Sequence, residues 1–154
     1  FLNGNENACT PEMFVRYAQI AALMPVMQFS ASPWRVLPEA DFQKVKDALA
    51  LREKCLPEIL KAVECAKVTG EPIVRSMEFV FPGQGMERVM DQFMVGEDLL
   101  VAPVWKQGEV ARSVRLPEGQ WRCVGLGETE GDVLNGGRDV ILGENEGLVV
   151  LKRV

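Results

Sequence analysis

The stretch 91–104 reads DQFMVGEDLLVAPV and contains the longest apolar run in the second half of the chain. Its latter part, 98–104, is an almost unbroken apolar run with the length of a strand in a protein core. We therefore predict a buried strand there. The earlier part, 91–96, ends at a glycine and is predicted to be a separate, shorter element.

Further strands are predicted on both sides of this stretch. Residues 111–116 alternate between polar and apolar side chains, so one face of that strand is expected to contact solvent. Runs rich in β-branched and aromatic residues follow one another at roughly ten-residue intervals with glycine or proline turns between them. These runs are 73–81, 120–124, 139–142 and 148–151. The spacing predicts an antiparallel β-sandwich.

The aromatic residues of this half admit two interpretations. Phe93, Trp105 and Trp121 could form a carbohydrate-binding surface. At strand spacing such residues more commonly fill the core between two sheets, and we predict the core position for all three.

The first half of the chain has helical periodicity. Thr10 is suited to cap a helix at the residue before a proline, and the predicted helix covers 11–23. A short apolar run at 26–30 is predicted to be a buried strand, and 32–35 is predicted to be a loop.

A second helix is predicted from Glu39 or Asp41 to Val68. Pro57 lies inside it and is expected to kink or divide it, because proline removes a helical hydrogen bond. Gly70 suits the left-handed position that ends a helix. Since the apolar period changes from helical to strand-like near Glu71, we place a domain boundary there.

Composition and charge exclude several classes of function. The net charge is −5, and residues 1–72 contain nine acids and eight bases, so neither half carries the basic surface of a nucleic-acid-binding protein. No apolar run approaches the roughly 20 residues of a membrane span. The first residue is Phe rather than Met, and we expect the sequence to begin inside a longer protein.

The residue types also restrict the chemistry. The chain has no histidine, which excludes Ser–His and Cys–His catalytic pairs and makes a zinc site improbable. Its four cysteines are scattered and contain no CxxC pair. We predict that most are buried thiols outside disulfides; they are Cys9, Cys55, Cys65 and Cys123.

Two groups of residues together resemble a known enzyme family. The first comprises 12–19 (EMFVRYAQ), 25–30 (PVMQFS) and 33–35 (PWR), and the second comprises 70–76 (GEPIVRS) and 91–104. In this order and spacing they resemble glycoside hydrolase family 31, which includes α-glucosidases, α-xylosidases and α-galactosidases. The first group is most similar to the myogenesis-regulating glycosidase branch of the family.

The resemblance implies an α+β fragment in two parts. In the family, a (β/α)8 TIM barrel carries the active site and β-sandwich domains follow it. Residues 1–71 would be the C-terminal end of the barrel, with 26–30 as its last strand and 39–68 as its last helix. Residues 72–154 would be the proximal C-terminal β-sandwich domain. The missing N-terminal part of the barrel is then an expected partner.

Four residues become candidates for contact with a sugar. Because TIM-barrel sites lie at the C-terminal ends of the strands, the resemblance places Gln28, Phe29, Ser30 and Trp34 near the pocket. Ser30 stands where many family members have a histidine that hydrogen-bonds the sugar. The alternative is that Ser30 ends a strand, while Phe29 and Trp34 pack locally instead of stacking on a pyranose ring.

The family mechanism is retaining hydrolysis by two aspartates, a nucleophile and an acid–base residue. In the family both precede the region matched here, so no catalytic residue, metal or organic cofactor is expected in this chain, and the chain alone is expected to be inactive. The expected ligand is a carbohydrate substrate. Solvated or turn-forming roles are assigned instead to the acids Asp41, Asp47, Asp91 and Asp98.

Two other interpretations compete with the enzyme. The chain could be a non-catalytic carbohydrate-binding or interaction module, or a purely structural domain. The identity of the residues at the two catalytic positions upstream would separate these possibilities. The resemblance leaves the compartment open, with the secretory pathway possible. A fragment of a barrel is also expected to expose an apolar patch on its helices.

Overall fold

The computed structural model describes residues 9–125, 130–142 and 148–154. The helices in these ranges are α1 (Pro11–Ala22), α2 (Pro33–Val36), α3 (Glu39–Thr69) and α4 (Met77–Val80). The strands are β1 (Val74–Ser76), β2 (Phe93–Val95), β3 (Leu99–Pro103), β4 (Arg112–Leu116), β5 (Gln120–Cys123), β6 (Val133–Asn135), β7 (Arg138–Leu142) and β8 (Leu148–Arg153). Among the described helices, none has the length and apolar character needed to span a bilayer.

The strands form two antiparallel sheets. The larger has the order β1-β2-β3-β8-β5-β6, and the smaller pairs β4 with β7. Helices α1 and α3 pack against one face of the larger sheet, while α4 and the smaller sheet pack against the other. The result is three layers with a separate apolar core on each face of the larger sheet. The antiparallel fold predicted for the second half is confirmed.

Strand β3 is buried on both of its faces. Leu99 and Val101 belong to the core shared with the helices, whereas Leu100 and Ala102 belong to the core shared with the smaller sheet. Its neighbour β8 alternates in the same way. The buried strand predicted from the apolar run is therefore confirmed, and the run is continuous because both faces of the strand are covered by protein.

Asp91 and Gln92, which precede β2, connect the larger sheet to the smaller one. Gln92 is buried; its amide N–H donates to the Arg115 carbonyl at 3.0 Å, and its oxygen accepts the Arg115 N–H at 2.8 Å. The side chain thus pairs with β4 as a neighbouring strand would. Asp91 contacts the Arg112 guanidinium at 2.5 Å, and that guanidinium also donates to the Pro103 carbonyl at 2.8 Å.

The helix ends largely follow the sequence prediction. The Thr10 hydroxyl accepts the Met13 N–H at 3.2 Å, which caps α1. Gly70 has a φ of 75°, and its N–H donates to the Ala66 carbonyl at 2.9 Å, so the predicted end of α3 is confirmed. Helix α3 continues through Pro57, and the alternative in which this proline divides the helix is wrong.

Two predictions in the first half are wrong. Residues 26–30 do not form a strand, because no described strand lies beside them to complete a ladder of hydrogen bonds. Residues 32–35 are not all loop, since Pro33 begins the short helix α2. The fixed φ of proline favours the first position of a helix.

Two predictions in the second half also need correction. The strand predicted at 73–81 is limited to β1, because the Ser76 hydroxyl accepts the Phe79 N–H at 3.3 Å and caps α4. Strand β6 was not predicted. It is only three residues long, which is too short for an alternating apolar pattern to be recognised in the sequence.

The aromatic residues of the β half occupy different environments. Trp121 is fully buried, its N–H donates to the Pro117 carbonyl at 2.9 Å, and its ring lies edge-on to Phe81 at 5.8 Å. The predicted core position is confirmed for Trp121. Phe93 is half-buried against the helical core. For Trp105 the prediction is wrong, because this residue lies beyond the end of β3 and is 57% exposed.

The cysteines lie within the described residues, and none of them is in a disulfide there. Cys55 and Cys123 are buried, whereas Cys9 and Cys65 are half-buried. Burial, together with the nearby carboxylate of Glu58, raises the pKa of the Cys55 thiol from 9.0 to about 11. Cys55 therefore behaves as a small apolar residue of the helical core.

We expect Gln92→Leu to lower the free energy of unfolding by about 2–3 kcal/mol, because both backbone groups of Arg115 would lose their partners. The matched control is Gln120→Leu, which changes an exposed glutamine of β5 and should alter stability by at most about 0.5 kcal/mol. Urea titration measures both values. Equal losses for the two variants would contradict the role assigned to Gln92.

The raised pKa of Cys55 predicts a pH dependence of stability. The folded thiol holds its proton more tightly than the unfolded thiol, whose pKa is 9.0, so its contribution is complete below pH 9 and is lost between pH 9 and about 11. The stability difference between wild type and Cys55→Ala should therefore narrow over this interval in urea titrations. The difference between wild type and Ile59→Val, a change in the same core without a titratable group, should stay constant. A constant difference for Cys55→Ala would refute the assignment.

Candidate functional site

A groove of about 270 Å³ lies between α1 and the segment 27–31. Helix α1 and the segment each contribute one wall. The lining residues are Phe14, Tyr17, Ala18 and Ala21 from α1, and Met27, Gln28, Phe29, Ser30 and Ala31 from the segment. Three of the four sugar-contact candidates therefore meet at one groove.

Contacts with the loop after β3 hold the first wall in place. The Glu12 carboxylate accepts the Gly108 N–H at 2.8 Å, and the Arg16 guanidinium donates to the Glu109 carbonyl at 2.7 Å. Glu12 and Arg16 also face each other at 3.7 Å, four residues apart on α1. Helix α1 is thus fixed to the β half of the molecule by charged groups as well as by its buried face.

Aromatic rings supply the apolar surface of the groove. Phe14 and Phe29 stack with ring centroids 6.2 Å apart and ring planes 5° apart. Phe29 is 37% exposed, so it packs locally and also presents part of its ring to the groove. Tyr17 is 62% exposed and adds a phenol to the α1 wall.

The segment adds polar groups beside these rings. Gln28 and Ser30 are both exposed at the groove. An amide and a hydroxyl each donate and accept hydrogen bonds, as sugar hydroxyls do. Flat apolar rings next to a few polar groups are the arrangement that suits a pyranose, which has an apolar C–H face and a polar rim.

The groove lacks the groups that break a glycosidic bond. Among the described residues that line it, none carries a carboxyl or a basic side chain. The acids considered from the sequence lie elsewhere, and each has a local partner. The partners are Lys44 for Asp41 at 2.9 Å, Gln43 for Asp47 at 2.8 Å, Arg112 for Asp91 at 2.5 Å and Lys61 for Asp98 at 2.5 Å. Nor do the described residues contain a cluster of acids and cysteines that could hold a metal ion.

Trp34 is not part of the groove. It lies on α2 with 67% of its surface exposed, outside the lining residues. Conversely, Phe14 and Tyr17 line the groove although sequence reasoning did not select them as site residues. A signal was present in the sequence: Phe14 and Tyr17 lie three residues apart on α1 and therefore share one side of that helix.

A second cavity of about 90 Å³ lies between α3 and the turn that joins β2 to β3. Its buried charge is Arg75, which contacts the Glu71 carboxylate at 2.9 Å and donates to the Pro72 carbonyl at 2.8 Å. Gly96 forms the turn with a φ of 62°, and a side chain there would press on Ala62. The close approach of Gly96 to Ala62 thus packs the β2–β3 turn on α3, while Arg75 is held by the residues that follow α3.

Comparison with known proteins identifies the family. A sequence model of the glycosyl hydrolase family 31 C-terminal domain matches residues 70–140. The myogenesis-regulating glycosidase of Mus musculus is 39% identical over 112 residues, which is 72% of this chain and 16% of that protein. The SITS-binding protein of Tetronarce californica is 34% identical over 116 residues, again 72% of this chain and 16% of the relative.

A solved structure agrees with these matches. The family 31 α-xylosidase from a soil metagenome, determined in complex with xylose, superposes with a TM-score of 0.78 at 29% identity. The superposition covers 93% of this chain and 25% of the enzyme, so the chain spans only a small part of the length of its relatives. Together the matches show that the chain belongs to glycosyl hydrolase family 31 and contains the C-terminal domain of that family.

Proposed function

We propose that the full-length protein is a retaining α-glycosidase that hydrolyses O-glycosidic bonds, and that this chain supplies one wall of its sugar pocket. The observation that carries the proposal is the meeting of Gln28, Phe29 and Ser30 at one groove lined by aromatic rings. The α-xylosidase that superposes on nearly the whole chain binds xylose, which supports a sugar as the ligand.

The proposal assigns residues 1–71 to the C-terminal end of a catalytic TIM barrel and 72–154 to the proximal C-terminal β-sandwich. The start of the family match at residue 70 supports this division. Leu49, Leu56 and Leu60 are exposed along one side of α3 at helical spacing. Such a stripe suits contact with the missing part of the barrel, and it fits the apolar patch expected from the sequence.

The chemistry of the groove suggests that this chain binds the sugar and that another part of the protein cleaves the bond. Retaining hydrolysis needs two carboxyl groups about 5–5.5 Å apart, and the groove has only neutral binding groups. The two aspartates would therefore come from outside residues 1–154. Ser30, Gln28 and Phe29 would orient the sugar, Trp34 would reach it from α2, and neither a metal nor an organic cofactor would take part. The chain by itself would be inactive.

A non-catalytic carbohydrate-binding or interaction module is the second candidate. It is favoured by the neutral lining of the groove and by the similarity to a relative that is named for binding rather than hydrolysis. In that case the full-length protein would bind sugars without cleaving them.

Hydrolysis of nitrophenyl α-glycosides by the full-length protein tests the proposal directly. The full-length protein should release nitrophenol, and residues 1–154 alone should not. Absence of release from the full-length protein across the α-glucoside, α-galactoside and α-xyloside series, together with retained sugar binding, would favour the binding module.

Trp34→Ala in the full-length protein should raise KM roughly fivefold, the equivalent of about 1 kcal/mol of lost stacking. Trp105→Ala is the matched control, because it removes a comparably exposed tryptophan from the β half and should leave KM unchanged. Steady-state kinetics with the best nitrophenyl glycoside gives both values. Equal KM values for wild type and Trp34→Ala would remove Trp34 from the pocket.

A further inference from the structure

We propose that Arg52 is a positioning residue for the sugar pocket: its guanidinium clamps the end of α1 and thereby fixes the segment that carries Gln28, Phe29 and Ser30. The inference rests on the proposed function for its link to the substrate. Its structural part rests on contacts between α3 and the turn after α1.

Arg52 donates hydrogen bonds to three carbonyls of one turn. Its Nη1 lies 2.6 Å from the carbonyl oxygen of Ala22 and 2.6 Å from that of Met24, and its Nη2 lies 3.2 Å from that of Pro25. Ala22 is the last residue of α1, where a carbonyl has no partner within the helix, and Met24 and Pro25 lie in the turn just beyond it. Arg52 satisfies them from a different element, 27–30 positions later in the sequence.

These contacts require an arginine. The planar guanidinium presents several N–H donors in a fixed fork, whereas a lysine ammonium is a point charge on a flexible stem. A positive charge also interacts favourably with the negative end of the helix dipole at the C-terminus of α1. Arg52 is half-buried, so these interactions are less screened by solvent than those of an exposed pair.

The clamp matters because the segment has little regular structure of its own. Residues 26–32 belong to no helix or strand of the described chain. Arg52, in contrast, lies next to Leu51 and three residues before Cys55, both of which are buried in the core between α3 and the larger sheet. Arg52 therefore links the start of the segment to the core between α3 and the larger sheet.

Arg52→Lys and Arg52→Met in the full-length protein test the inference. Loss of the Arg52 hydrogen bonds should speed hydrogen exchange of the amides in 23–31 by about tenfold or more. Without these charged hydrogen bonds, local opening of the segment costs less free energy and occurs more often. KM for a nitrophenyl α-glycoside should rise about fivefold with kcat changed less than about twofold, since binding rather than chemistry is affected. The lysine variant should lie between wild type and the methionine variant.

Lys67→Met is the matched control, because Lys67 lies near the C-terminal end of α3 in an exposed ion pair with Glu64. It should leave both measurements unchanged. Wild-type exchange in 23–31 for both Arg52 variants would overturn the inference, as would an unchanged KM in an active protein. If the wild-type protein itself cleaves no α-glycoside, the proposed function fails, and the exchange measurement still decides whether Arg52 holds the segment.

Discussion

Strands β3 and β8 are paired in the middle of the larger sheet, and both of the apolar cores that flank this sheet are built on them. Five residue pairs join these strands at the centre of the larger sheet, from Leu99 opposite Lys152 to Pro103 opposite Leu148. Alternate apolar side chains of both strands enter the two cores. Because burial of apolar area is the dominant favourable term in folding, a change in register here would displace both outer layers at once.

The candidate site is a consequence of this arrangement, although it lies at a distance from the strands. The helical core fixes α3, and Arg52 connects α3 to the turn after α1. The loop after β3 holds α1 through Glu12 and Arg16. The groove thus has two walls, each tied to the same central sheet, and its neutral aromatic and polar lining suits binding rather than proton transfer.

Sequence reasoning succeeded where a single local signal was unopposed, and it failed where local signals competed or where a distant part of the chain decided the outcome. The strand β3 and the caps at Thr10 and Gly70 were predictable, because continuous burial, capping hydroxyls and left-handed glycines leave direct marks on the sequence. The helical form of 77–80 depends on the cap formed by the Ser76 side chain. The exposure of Trp105 depends on where β3 ends. Residues 28–30 came from family resemblance, whereas Tyr17 emerged only when α1 and the segment were seen together.

A crystal structure of the full-length protein with a bound α-linked sugar would show whether residues 28–30 form part of a sugar pocket, as we propose. We expect a sugar ring with the side chain of Gln28 or Ser30 within hydrogen-bonding distance, about 3 Å, and Phe29 in contact with the ring. A sugar bound with none of these three side chains within about 4 Å would mean that residues 28–30 do not line the pocket.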